Sequence, residues 1–288
     1  MGAFFTLGAV HYLLIQKPFQ NVDLLGLYVS LFCLMGLAAY IWTLIPQTWF
    51  QMKRQYKISA IDRTGGAAVL ELGPVAGGIG HKAGKFAFLR IATPDLQEVH
   101  PFTISNGPKA DQSLRFTIKP LGGYSATLGR LVTSNTTVHV SRAFGHFFRP
   151  SPARPQVWIA GGVGITPFLA WLSTVKDSDA PIHLFACART AADIPHLAEL
   201  RKADASQKNL TLHIVESKGQ QRLTAEQALA SSGLSVKEIE VAVCGPTAMR
   251  DSLRKDFARL GLRRGRFHFE QFELRTGVGL GWLIAKLW

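Results

Sequence analysis

The chain has 288 residues, enough for two compact domains and a small appendage. Charged residues make up 18% and hydrophobic ones 47%, which excludes a disordered chain and leans towards membrane association. The net charge of +13 suits anionic lipid or phosphate-bearing cofactors; no basic run interleaved with aromatics and no nucleic-acid motif is present, so no nucleic acid partner is expected. Cys33, Cys187 and Cys244 lie far apart. They imply no disulfide framework, and three thiols are too few for a plant-type iron–sulfur centre, which needs four.

Leu24 to Ile45 is a run of 22 residues without a charge. As a helix it reaches ~33 Å, enough for a bilayer core of ~30 Å. Tyr40 and Trp42 stand near one end, and Pro46, Lys53, Arg54 and Lys57 follow, which predicts that the rest of the chain is cytoplasmic. Met1–Ile15 is also apolar but at ~22 Å falls short of a span. Asn21 and Asp23 break the two runs, so a membrane helical hairpin with an incomplete first helix is expected over 1–49. His11 in the first segment is either a satisfied interior polar group or a metal ligand.

From about Arg54 to Val140 six short β-rich runs alternate with turn residues: YKISAI, AAVLEL, FAFLRI, FTIS, LRFTIK and TTVHV. This pattern predicts a six-stranded antiparallel barrel over 50–150. Within it lie His100-Pro101-Phe102-Thr103-Ile104-Ser105 and Lys119-Pro120-Leu121-Gly122-Gly123-Tyr124-Ser125. On these segments the chain resembles the ferredoxin–NADP reductase superfamily, in particular its ferric reductase/NADPH oxidase-like branch. The resemblance implies that His100 approaches the FAD diphosphate, Phe102 packs on the isoalloxazine and Thr103 hydrogen-bonds near its N5. Pro101, Ser105 and Lys119 belong to the same implied site, and Gly122 and Ser125 resemble its diphosphate turn. Glycines allow close backbone approach there, and free N–H groups at a helix start attract phosphate. The sequence departs from the family at Lys85, where glutamine is common, and at 141–145, where Ser-Arg-Ala-Phe-Gly replaces an acidic-Gly-Pro-aromatic-Gly turn.

After the proline-rich stretch Arg149–Pro155, strand and helix patterns alternate, predicting a parallel sheet with helices on both faces over 151–275. QVWIA runs into Gly161-Gly162-Val163-Gly164-Ile165-Thr166-Pro167, with Thr166 a helix N-cap and Pro167 the first helical residue. Helices are expected at Asp193–Ala203, Thr224–Ala230 and Thr247–Leu260. A glycine turn between strand and helix is a diphosphate cradle. GGVGITPF resembles the NAD(P)H site of the same superfamily, with Cys244-Gly245-Pro246 as its companion and the cysteine beside the nicotinamide. Arg189, ending the second strand, either pairs with a 2′-phosphate, favouring NADPH over NADH, or is a solvated arginine. Phe267–Glu273 is similar to the closing strand of bacterial ferric reductase-like proteins, which places Glu270 and Phe272 at the nicotinamide–flavin contact. Residues 276–288 form an apolar tail too short to span.

The expected catalytic groups are therefore Thr103, Cys244, Glu270 and Phe272, the cofactors are FAD and NADPH or NADH, and His11 is the metal-ligand candidate. The family's bis-histidine haem needs further membrane helices, so haem is expected only with those helices or with a haem-bearing membrane subunit. The expected activity is membrane-anchored electron transfer from NAD(P)H through FAD to haem or a metal chelate. The alternatives are a haem-free flavin or ferric-chelate reductase and a dinucleotide-binding docking subunit.

Overall fold

In the computed structural model residues 23–44, 54–120, 122–217 and 222–270 are described. The chain divides into two units, Met1–Gln51 and Met52–Trp288. In the first, the uncharged run forms one helix, α1 (Asp23–Leu44), of 22 residues. Tyr28, Leu31, Phe32, Leu34 and Met35 on it are each more than half exposed. The expected hairpin is not shown, because residues 1–22, His11 among them, lie outside the described residues. Among the described residues no helix is long and apolar enough to cross a membrane, the side chains of α1 being described only between Tyr28 and Ala39.

The second unit begins with an antiparallel sheet of β1 (Arg54–Thr64), β2 (Ala67–Pro74), β3 (Phe86–Ile91), β4 (His100–Thr103), β5 (Leu114–Ile118) and β6 (Thr137–Val140). Its order is β4-β3-β6-β1-β2-β5, and a bridge between Ile104 and Phe116 brings β5 back to β4. The six expected strands are all present. β3 and β6 bury alternate residues, as a two-residue repeat dictates: β3 turns Ala87, Leu89 and Ile91 inward and leaves Phe86, Phe88 and Arg90 half-buried, whereas β2 buries Ala67 to Leu70 in succession. The β1–β2 hairpin turns through Gly65 and Gly66, at φ +53° and +71°. A two-residue hairpin loop with both residues at positive φ is the type that matches strand twist, and glycine takes it without a side-chain clash. Helix α2 (Gly123–Leu131) follows β5.

The chain then builds a parallel sheet of β7 (Gln156–Gly161), β8 (Ile182–Ala188), β9 (Leu210–Glu216), β10 (Glu240–Cys244) and β11 (Phe267–Glu270), in the order β11-β10-β7-β8-β9. Helices α3 (Thr166–Leu172) and α4 (Leu197–Ser206) cover one face, where Trp158 and Leu184 meet Phe168, Trp171 and Leu200. Helices α5 (Ala225–Ser232) and α6 (Thr247–Arg259) cover the other, where Ile159 and Phe185 meet Ala225, Leu253 and Phe257. Thr224 and Gln227 form a capping box, with reciprocal bonds of 3.2 and 3.0 Å.

Two helix starts differ from expectation. Thr166 is not an N-cap: a 3₁₀ turn, Gly162–Ile165, feeds into α3, so Thr166 is already helical and its hydroxyl donates to the Val163 carbonyl at 3.1 Å. Helix α4 begins at Leu197 rather than Asp193, because Pro195 disfavours helical geometry in the residue before it and His196 is left-handed at φ +58°.

Candidate flavin and dinucleotide sites

The barrel end of β4 forms one wall of a cleft of about 440 Å³. His100, Pro101, Phe102 and Thr103 line it from β4, Thr117 and Ile118 from β5 with Lys119 just after it, and Gly122 to Ser125 from the start of α2. Register explains the grouping: β5 returns to the end of β4 at the Ile104–Phe116 bridge, so both strands deliver their ends to one place. At the start of α2 the Gly122 N–H donates to Ser125 Oγ, and that hydroxyl donates back to the Gly122 carbonyl, both at 3.1 Å. Space is open around both Gly122 and Gly123. Thr103 is 4% exposed and its hydroxyl has no hydrogen-bond partner. A buried polar group without a partner costs free energy unless a ligand completes it. The open cradle and this orphan hydroxyl fit a flavin with its diphosphate on the helix start.

His100 stacks on Tyr124 with ring centroids 3.8 Å apart, and its Nε2 lies 2.9 Å from Glu98 Oε2. Burial, with Glu98 adding to it, raises the Tyr124 phenol to about 12, and its hydroxyl donates to the Leu96 and Glu98 carbonyls at 3.4 and 3.3 Å. Neither Glu98 nor Tyr124 was singled out by the sequence, because the contact joins residues 24 apart through a turn and a helix start.

A second cleft of about 540 Å³ opens at the carboxyl ends of the parallel strands. Gly161, Gly162, Val163 and Gly164 after β7 line it with Gly245 and Pro246 after β10. The chain after β7 runs to one side of the sheet and returns to the other at β10, which makes this the topological switch point where open α/β sheets bind ligands. The glycines are required by the approach of the two turns. A Cβ on Gly164 would lie 2.2 Å from the Cys244 carbonyl oxygen, and one on Gly161 would lie 2.7 Å from Pro246. Gly162, at φ +55°, has open space around it and faces the cleft.

Arg189 lies on the far wall with Ser217 and Arg222, two residues the sequence did not single out. Asp193, also there, is bound by the Thr190 N–H at 3.1 Å and hydroxyl at 2.9 Å, and these bonds hold its carboxyl below the usual range. The acid is thus engaged while two arginines face the cavity. Lys119 and Val163 line both clefts, so flavin and dinucleotide would meet there.

Four expected site residues sit elsewhere. Ser105 is fully buried behind the flavin cleft, bonded to the Arg115 carbonyl at 3.0 Å and the Thr117 hydroxyl at 3.1 Å. Pro167 is buried within α3. Thr166 lines the flavin cleft rather than the dinucleotide one. Cys244 is 0% exposed in the core beside Trp158 and Ala160, and burial first, then Glu270, pushes its thiol well up. Its main chain shapes the glycine turn while its side chain packs inward. Glu270, paired in register with Cys244, is half-buried; one carboxylate oxygen has no partner, and burial raises the acid to about 7. Its other oxygen lies 3.8 Å from where a Cβ on Gly145 of the barrel would stand, placing the carboxyl where the two sheets meet. Phe272 and His11 lie outside the described residues.

Residues 76–166 match the family described as "FAD-binding domain", and residues 158–255 match "Oxidoreductase NAD-binding domain". The chain is 27% identical over 176 residues to the anthranilate 1,2-dioxygenase electron transfer component of Acinetobacter baylyi, covering 58% of this chain and 51% of that one. It is 26% identical over 208 residues to the carnitine monooxygenase reductase subunit of Escherichia coli, covering 70% and 63%. It thus spans between half and two thirds of the length of these relatives. In fold it is similar to the flavohem-like FAD/NAD-binding domain of nitric oxide dioxygenase from Vibrio cholerae, with TM-score 0.66, 21% identity, and 75% of this chain and 97% of that one covered. It is similar also to phthalate dioxygenase reductase, with TM-score 0.61, 21% identity, and 77% and 69% covered. With both clefts and both domain matches agreeing, the chain belongs to the ferredoxin reductase-like FAD/NAD-binding superfamily, with an FAD-binding domain followed by an oxidoreductase NAD-binding domain.

Proposed function

We propose that the chain takes electrons from NADPH into FAD and delivers them singly to an acceptor at a membrane. The observation that carries this reading is the meeting of the two clefts at Lys119 and Val163. When bound, the nicotinamide supplies a hydride and the flavin turns a two-electron input into one-electron output. The protein supplies position and electrostatics. Phe102 offers a packing surface, the Thr103 hydroxyl a hydrogen bond, the start of α2 and the Gly161–Gly164 turn two diphosphate cradles, and Lys119 a cation between them. Glu270 holds a proton near neutral pH at the junction of the sheets, and Glu270 with Phe272 is proposed to face the contact between the two rings. Arg189 and Arg222 favour a 2′-phosphate, and hence NADPH.

Anchoring rests on the uncharged run Leu24–Ile45 and the basic residues after it, which would hold the reductase on the cytoplasmic side of the membrane. The acceptor would be a haem-bearing membrane subunit that supplies the helices a bis-histidine haem needs, or a metal chelate. A second reading is favoured by the names of the relatives, electron transfer component and reductase subunit: the acceptor is then a separate oxygenase protein.

Anaerobic mixing of the FAD-loaded chain with NADPH or NADH tests the core of this reading. Flavin absorbance should bleach with both and with a higher specificity constant for NADPH, and Arg189→Glu should erase most of the preference, since such a contact contributes on the order of 1–3 kcal/mol. A specificity constant for NADH equal to or above that for NADPH refutes the preference, and no bleaching with either refutes the activity. Release of the full chain from membranes by alkaline carbonate refutes the anchor.

A further inference from the structure

One cluster of charged and polar side chains reaches the clefts only through Thr117, yet it joins the two domains that carry them. Arg115 of β5 sends both terminal nitrogens to Glu199 of α4, at 2.8 and 3.0 Å. Its side chain is 18% exposed and that of Glu199 40%, so the pair is partly shielded from water. The same guanidinium donates to the Ser105 carbonyl at 2.8 Å. One turn away, His196 presents Nδ1 to Glu199 at 3.3 Å and Nε2 to the Thr117 hydroxyl at 2.8 Å. Thr117 Oγ1 continues to Ser105 Oγ at 3.1 Å. The main chain takes part too, for the His196 N–H donates to Thr64 Oγ1 at 3.0 Å.

Two features separate this cluster from an ordinary surface contact. His196 is held left-handed at φ +58°, a conformation uncommon for a non-glycine residue, and its side chain is 9% exposed. Against it the barrel hairpin packs so closely that a Cβ on Gly65 would lie 2.5 Å from the Ile194 carbonyl carbon and the Pro195 nitrogen. The segment 194–196 is thus wedged between the β1–β2 turn and β5. Thr117, which His196 grips, is itself a wall of the flavin cleft, and two residues on Lys119 lines both clefts.

We propose that His196 and Glu199 are positioning residues for flavin reduction: they clamp β5 to the dinucleotide-binding domain and so set the gap between the two cofactor clefts. The assignment rests on the two clefts holding flavin and dinucleotide as proposed above. Neither residue lines either cleft, so they act through Thr117, Lys119 and Arg115. Transfer between two bound groups is steeply sensitive to their separation, and a displacement of about 1 Å can cost roughly 100-fold in rate. A clamp that holds one wall to the opposite domain therefore bears on the rate of transfer and little on the affinity of either cofactor.

The test uses the full FAD-loaded chain with Glu199→Gln, His196→Ala and His196→Asn. Asparagine accepts a left-handed backbone and keeps a polar group for Thr117. At saturating NADPH, flavin reduction should slow at least about tenfold in the first two variants, and the long-wavelength absorbance of stacked nicotinamide and flavin should weaken. FAD content and the NADPH concentration for half-saturation should stay within about twofold of wild type, and His196→Asn should recover most of the rate. In the cofactor-free chain, the His196 amide should exchange hydrogen faster in Glu199→Gln than in wild type. Wild-type reduction rates and absorbance in both disruptive variants overturn the assignment alone. So does a rate loss that added FAD restores, which marks a merely structural contact. A wild-type chain whose flavin neither nucleotide reduces overturns the functional reading together with the assignment.

Discussion

Among the described carboxyl groups, Glu270 is the one that burial raises. A glutamate ordinarily near 4.5 is raised by burial to about 7. The folded chain therefore keeps a proton between these values that the unfolded chain has released. Its stability falls as pH rises through that window, by up to about 3 kcal/mol, and the fall levels off above pH 7. Glu270→Gln removes the ionisation, so the variant should gain on wild type by most of this amount between pH 5 and pH 8. Denaturant unfolding at the two pH values checks it, and an equal change in both proteins would show that the carboxylate is already satisfied. Cys244 is likewise pushed up by burial. As a fully buried thiol held protonated, it should resist alkylation in the folded chain and react only at the rate of unfolding. Rapid labelling under native conditions would place it in the cleft after all. Its motif was legible in the sequence, but the direction of its side chain was not. That direction depends on which face of β10 the neighbouring helices cover.

At the scale of elements, the glycine turn after β7 and the segment after β10 act as one unit. Gly164→Ala would drive a methyl group into the Cys244 carbonyl, a main-chain atom with nowhere to move, whereas Gly162→Ala meets no atom and carries only the strain of φ +55°. The first should cost about 2–3 kcal/mol or more of stability and the second about 1 kcal/mol. Thermal unfolding of the two variants side by side distinguishes them, and equal losses would mean that backbone conformation alone demands these glycines. The turn's place between a strand and a helix was readable from the alternation of patterns. The need for glycine opposite Cys244 was not, since the two lie in different crossovers of the sheet. The start of α3 shows a similar limit: Thr166-Pro167 has the composition of a helix start, but the tight turn before it moved the start upstream and turned the threonine hydroxyl from acceptor to donor.

For the whole molecule, ligand occupancy should appear as stability, since a group that binds only the folded chain stabilises it by mass action. FAD at about 100 times its dissociation constant should add about 2.7 kcal/mol. His100→Ala with Ser125→Ala should remove most of that gain at the same FAD concentration. A double variant that retains the full FAD-induced shift in unfolding midpoint would place the flavin elsewhere. By itself the sequence determined the order of the two sheets, the six barrel strands, the alternating α/β pattern and the residues on both cradles. These follow from local repeats of two and 3.6 residues and from turn chemistry, which act over a few residues. Only the tertiary structure decided that Ser105 and Cys244 turn away from the clefts, that Arg222 and Ser217 join Arg189, and that His196 and Glu199 hold β5 from across the domain junction. Those contacts span tens of residues, from Arg115 to Glu199 and from Thr64 to His196, and no local pattern encodes them. They come from the closing of the barrel on itself and the packing of one sheet's edge against the other domain's helices.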